Sequence, residues 1–206
     1  MRISRRGFAA FAAGVVVWLG GDAALADGAE PAALIQSLYN ALLDAMKQGP
    51  QLGFDGRFQK LEPVIHQTFD VATMCKIAIG PTWTTLPTDK KNAVLVAFDK
   101  FMVTTYAARF KSFSGQKFEV GASKPVAGDR TLVETKLYKS DGEPVELNYL
   151  FRKNQNGWQV IDIYLAGSIS QMTQMRSDFS EPLRSGGVDN LIQQLNAKIS
   201  ALKAGA

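Results

Sequence analysis

Apolar positions along this chain follow a helical period, then an alternating one, then a helical one again. Leu34, Ile35, Leu38, Tyr39, Leu42, Leu43 and Met46 recur three and four residues apart and predict an amphipathic helix over Ala32–Met46. Gln48-Gly49-Pro50 stops it, and Gly53 and Gly56 read as a loop. Phe58, Leu61, Val64 and Ile65 suggest a short helix broken around Pro63. Asp70 is placed to cap a helix that runs to Ile79, with Gly80 as its stop. Pro81 and Pro87 bracket a connection that carries Trp83. A long helix then spans about Thr88 to Phe113. Val94, Leu95, Phe98, Phe101, Met102, Thr105, Tyr106, Arg109, Phe110 and Phe113 form its inner stripe.

After Ser114-Gly115 the period falls to two. Phe118–Ala122, Arg130–Tyr138, Val145–Arg152 and Trp158–Leu165 read as strands, and the short polar turns between them imply consecutive antiparallel hairpins. Val145, Leu147, Tyr149 and Phe151 share one face of the third strand. In the fourth, Ile161, Ile163 and Leu165 share a face and Trp158, Val160 and Tyr164 take the other. Helical spacing returns over Ile169–Leu183 and, past a Ser185-Gly186-Gly187 hinge, over Val188–Leu202. Helices, an antiparallel meander and helices again make an α+β layer arrangement.

The first 26 residues read as an export signal. Arg2, Arg5 and Arg6 precede an uncharged apolar run from Phe8 to Gly20, and Ala24-Leu25-Ala26 is a cleavage pattern. Ser4-Arg5-Arg6-Gly7-Phe8 is also twin-arginine-like, so either export route is open. The expectation is one periplasmic domain over 27–206. No later stretch is long and apolar enough to cross a bilayer. The whole chain has 23 basic and 19 acidic residues. The leader holds three of the former and one of the latter, which leaves a mature charge of only +2. That balance gives little support to nucleic-acid binding. A hydrophobic content of 46% excludes a disordered chain.

Most catalytic chemistry is absent. Cys75 and His66 are the only residues of their types, so no disulfide, dense metal site or paired hydrolase triad is expected. Cys75 reads as a small buried apolar residue, and His66, with no carboxylate at an obvious spacing, as a structural or surface residue. Asp162 stands mid-strand among Val160, Ile161 and Ile163. A buried carboxylate needs a partner. The expected one is Arg109 or Arg176; the alternative makes Asp162 the general base of an enzyme acting on an apolar small molecule.

What the sequence offers in surplus is apolar wall, which either fills a core or encloses a cavity. Several ordered segments add to this reading: Phe69-Asp70, Ile77-Ala78-Ile79-Gly80 before Trp83, Tyr106 with Phe110, Gly157-Trp158-Gln159-Val160-Ile161-Asp162, Gly167-Ser168-Ile169-Ser170 and Arg176-Ser177-Asp178-Phe179. Together, over about Pro31 to Lys198, the chain resembles the MlaC, or toluene-tolerance, family of periplasmic phospholipid-binding proteins. Ile169-Ser170-Gln171 and the Ser185-Gly186-Gly187 turn are similar to its hopanoid-biosynthesis-associated (HpnM) branch. The resemblance implies a curved antiparallel sheet wrapped by helices, like the nuclear-transport-factor cone with extra terminal helices. It implies a carrier without cofactor or catalysis that moves a phospholipid or hopanoid. Its implied partners are an outer-membrane lipoprotein complex and an inner-membrane MCE-type ABC or other lipid transporter. The residues expected to line the lipid are Trp83, Phe98, Phe101, Met102, Tyr106, Phe110, Leu147, Tyr149, Phe151, Ile161, Ile163 and Met172, with ordinary core packing as the alternative for each. Arg109 is expected to meet a headgroup phosphate or to pair within the fold.

Overall fold

Helix α1 (Pro31–Lys47) buries the predicted row: Ile35, Leu38, Tyr39 and Leu42 are all at most 1% exposed. The computed structural model describes residues 30–139 and 142–206. The export-signal reading falls on residues 1–26, outside that range.

The expected loop after α1 is instead helix. Helix α2 (Gly49–Thr68) follows directly, and only Gly53, at φ 60° and ψ −172°, leaves helical geometry. Packing overrides the weak helix propensity of its glycines. Arg57 is buried, its Nε donating to the Ala107 carbonyl at 2.8 Å and its Nη1 to the Gly49 carbonyl at 3.0 Å. A Cβ on Gly49 would lie 1.9 Å from the Lys111 carbonyl oxygen, so the backbones cross where only glycine fits. Nor does Pro63 break the helix. It sits on the exposed side, where the carbonyl it leaves free is not shut away from solvent.

Asp70 caps α3 (Val71–Ile79), accepting from the Thr73 N–H at 2.9 Å. Arg176 holds the other end of α3, its Nε donating to the Ile77 carbonyl at 2.9 Å. A one-turn helix, α4 (Thr82–Thr85), leads to α5 (Thr88–Arg109). This helix ends before the expected Phe113, because Phe110 turns out of helical geometry and the chain crosses Gly49. Phe113 is 42% exposed. His66 finds an unforeseen partner on α5: its Nε2 lies 2.7 Å from Asp99 Oδ1, at the surface.

The strands β1 (Lys117–Val126), β2 (Arg130–Tyr138), β3 (Val145–Asn154), β4 (Gly157–Leu165) and β5 (Ile169–Ser170) pair antiparallel in sequence order, as an open sheet. A bulge in β4 corrects the predicted faces. Leu150 pairs with Asp162 but Phe151 with Val160, so Ile161 is the extra residue. Val160 therefore turns inward beside Phe151, both fully buried, while Ile161 leaves the core cluster. The outer edge of β4 is covered by β5 and by a bridge from Phe69. The last helix, α6 (Gln171–Ala204), is interrupted at Gly186 and Gly187 and packs along α5. Phe98 of α5 meets Phe179 of α6 edge-on at 6.3 Å. The result is the α+β arrangement expected: helices on one face of an antiparallel sheet.

Candidate functional site: an apolar cavity between sheet and helices

The space between α5 and the sheet is not filled. A cavity of about 410 Å³ lies there. From α5 come Phe101, Met102, Thr105, Tyr106, Arg109 and Phe110, which stand three, four and seven residues apart and so share a face. Leu137 of β2, Val145, Leu147 and Tyr149 of β3, and Ile163 and Leu165 of β4 form the opposite wall. Met74 of α3 and Gln171, Met172 and Met175 of α6 close the side. Four methionines thus share one cavity, and the unbranched thioether adapts to guests of different shape.

Exposure separates floor from mouth. Met74, Met102, Tyr149 and Met172 are buried, whereas Arg109, Lys139 and Leu165 are exposed. Neither Arg109 nor Lys139 has an ion-pair partner among the described residues. The mouth is therefore cationic and the interior almost wholly apolar.

Tyr149 also belongs to a small polar cluster whose other members lie outside the cavity lining. The Tyr39 hydroxyl lies 2.5 Å from Thr135 Oγ1 and 3.3 Å from the Tyr149 hydroxyl. Here the β2–β3 ladder is interrupted, with no pairing between Val133–Tyr149 and Lys136–Glu146. The Thr135 N–H donates to Asn148 Oδ1 at 3.2 Å, and its hydroxyl to the Leu147 carbonyl. Burial pushes the pKa values of Tyr39, Tyr106 and Tyr149 up, so all three are neutral phenols.

Of the residues expected to line a lipid site, Phe101, Met102, Tyr106, Phe110, Leu147, Tyr149, Ile163 and Met172 surround the cavity, as does Arg109. Phe98 and Phe151 are packed solid in the core, and Ile161 is displaced by the β4 bulge. Trp83 is half-buried against the core, away from the cavity. Helical and strand spacing identifies a face but not how far along it a void extends, which accounts for Phe98 and Phe151; Ile161 fails through the bulge, and Trp83 stands on a connection with no period to place it. The lining residues missed include Met74, Leu137, Val145, Leu165 and Met175. Val145 and Leu165 carried a signal, since each shares a predicted strand face with residues expected to line the site. Lys139 and Gln171 carried none.

Asp162 lies outside the cavity and pairs with neither arginine. Its Oδ1 accepts from the backbone N–H groups of Ile163 at 2.8 Å and Met172 at 3.1 Å, and its Oδ2 from the Ser170 hydroxyl at 2.6 Å. It ties β4 to the first turn of α6, where the helix dipole favours a carboxylate.

Among solved structures, the fold is similar to that of a phospholipid-binding protein from Ralstonia solanacearum, determined in complex with a phospholipid. The TM-score is 0.73 at 23% identity, over 84% of this chain and 99% of that one. The family model described as MlaC protein matches residues 36–197. That match takes in every helix and strand that builds the cavity, and the chain belongs to the MlaC family.

Proposed function

We propose that this protein is a periplasmic lipid carrier without catalytic activity, which shelters the hydrocarbon part of a phospholipid or hopanoid between α5, α6 and the sheet. The observation that carries the reading is the apolar cavity with two cations at its mouth that have no ion-pair partner among the described residues. The phospholipid bound to the Ralstonia protein supports the phospholipid form of it.

The energetics suit a shuttle. Two acyl chains bury about 30 methylenes at about 0.8 kcal/mol each, roughly 24 kcal/mol gross relative to water. The bilayer offers the same shelter, so a pocket that roughly matches it exchanges lipid in either direction. Direction then comes from partners: an outer-membrane lipoprotein complex on one side and an inner-membrane MCE-type ABC or other lipid transporter on the other. Arg109 and Lys139 meet the phosphate, while Phe101, Met102, Phe110, Leu147, Ile163 and Met172 meet the chains. The enzyme alternative has no observation in its favour, because all the bonds of Asp162 are internal.

Mass spectrometry of organic extracts of protein purified from its native periplasm tests the reading. The expected result is stoichiometric lipid. Protein that emerges lipid-free and takes none from liposomes overturns it.

A further inference from the structure

We propose that the Tyr106 hydroxyl donates a hydrogen bond to an acyl ester carbonyl of the bound lipid and so makes the cavity prefer ester-linked over ether-linked chains. The proposal rests on the carrier reading and adds the linkage chemistry of the ligand.

Tyr106 lines the cavity between the α5 positions of Met102 and Arg109. Its ring is fixed from two sides, stacked on Phe110 with centroids 5.8 Å apart and tilted against Phe69 at 5.7 Å. The neighbouring Tyr149 hydroxyl is already engaged with Tyr39. The Tyr106 hydroxyl has no hydrogen-bond partner among the described residues, although the side chain stands in an apolar site. Burial raises its pKa, so it presents a proton and not a phenolate.

A pure hydrocarbon beside this group strands a polar O–H, which is unfavourable. A phenylalanine would make the same ring contacts without that cost. A guest that brings an acceptor satisfies the hydroxyl, and a site with a waiting donor rejects analogues that lack the acceptor. Arg109 lies three residues on, about 4.5 Å along the helix axis toward the mouth. Tyr106 is half-buried and Arg109 exposed, so the phenol sits deeper than the guanidinium. In a glycerophospholipid the ester carbonyls likewise lie just below the phosphate, on the hydrocarbon side. The order of groups on α5 thus follows the order of groups along the lipid.

The test loads delipidated protein from vesicles holding equal amounts of dipalmitoyl phosphatidylglycerol and its dihexadecyl ether counterpart, with bound lipid counted by mass spectrometry. Wild type is expected to enrich the ester roughly fivefold to tenfold, the ratio of one modest hydrogen bond. Tyr106→Phe is expected to load the two lipids at a ratio near one. An isotope-labelled ester carbonyl is expected to show a lower infrared stretching frequency in wild type than in Tyr106→Phe. A wild-type ratio near one, or a ratio and band unchanged in the variant, overturns the donor role and leaves the carrier reading standing. Failure of wild type to load either lipid overturns the carrier reading itself. Should Tyr106→Phe not fold, the wild-type ratio and the carbonyl frequency in bound against vesicle lipid decide alone.

Discussion

Asp162 shows how a suggestive residue resolves once its surroundings are known. Its three acceptor bonds join two backbone N–H groups and one hydroxyl. Asp162→Ala should therefore lower unfolding free energy by about 3 kcal/mol, as charged hydrogen bonds are lost. Lipid bound per folded molecule should not change, and urea unfolding with lipid counting checks both. Cys75 is a second such case. Burial lifts its thiol pKa from 9.0 to about 12. The unfolded chain sheds that proton first, so stability falls as pH rises from about 9 toward 12, by up to about 1.4 kcal/mol per pH unit. Denaturation midpoints for wild type and Cys75→Ala between pH 9 and 10 should show the steeper decline in wild type. Both residues were recognisable as buried from their apolar neighbours. The partners of Asp162 were not, because main-chain donors leave no mark on side-chain spacing.

At the level of elements, strong periodicity gave α1, α3 and β2 almost to the residue. The errors occur where tertiary contact defeats local preference. No propensity argument makes helix of Gly49–Gly56; Arg57, reaching to the end of α5, does. Gly49→Ala should clash with the Lys111 carbonyl and cost about 2 kcal/mol in urea unfolding, as overpacking does. A stability unchanged within 0.5 kcal/mol, roughly the scatter of neutral substitutions, would refute that close approach. The bulge at Ile161 is likewise invisible in sequence: alternation of faces is read by counting, and one added residue reverses the count downstream. Half of the fourth strand was thereby assigned to the wrong side.

For the whole molecule, the decisive property is a void, and volume is the quantity that sequence patterns do not encode. The aromatic and methionine stripe on α5 was legible, but packed core and cavity wall have the same spacing. If the void holds lipid, delipidated protein should melt lower. Ligand at a hundred times its dissociation constant adds about 2.7 kcal/mol. In a domain of this size that is roughly 5–10 °C, readable by calorimetry before and after reloading. The exposed position of Arg109 and Lys139 has a further consequence. Their pull reaches only about one Debye length, near 8 Å at physiological ionic strength. On the carrier reading, salt should therefore slow capture from anionic vesicles more than it hastens escape, since the uncharged walls supply most of the retention. If the carrier reading holds, recruitment and retention fall mainly to different parts of one compartment, so the surrounding electrolyte adjusts how often cargo is taken up far more than how long it is kept.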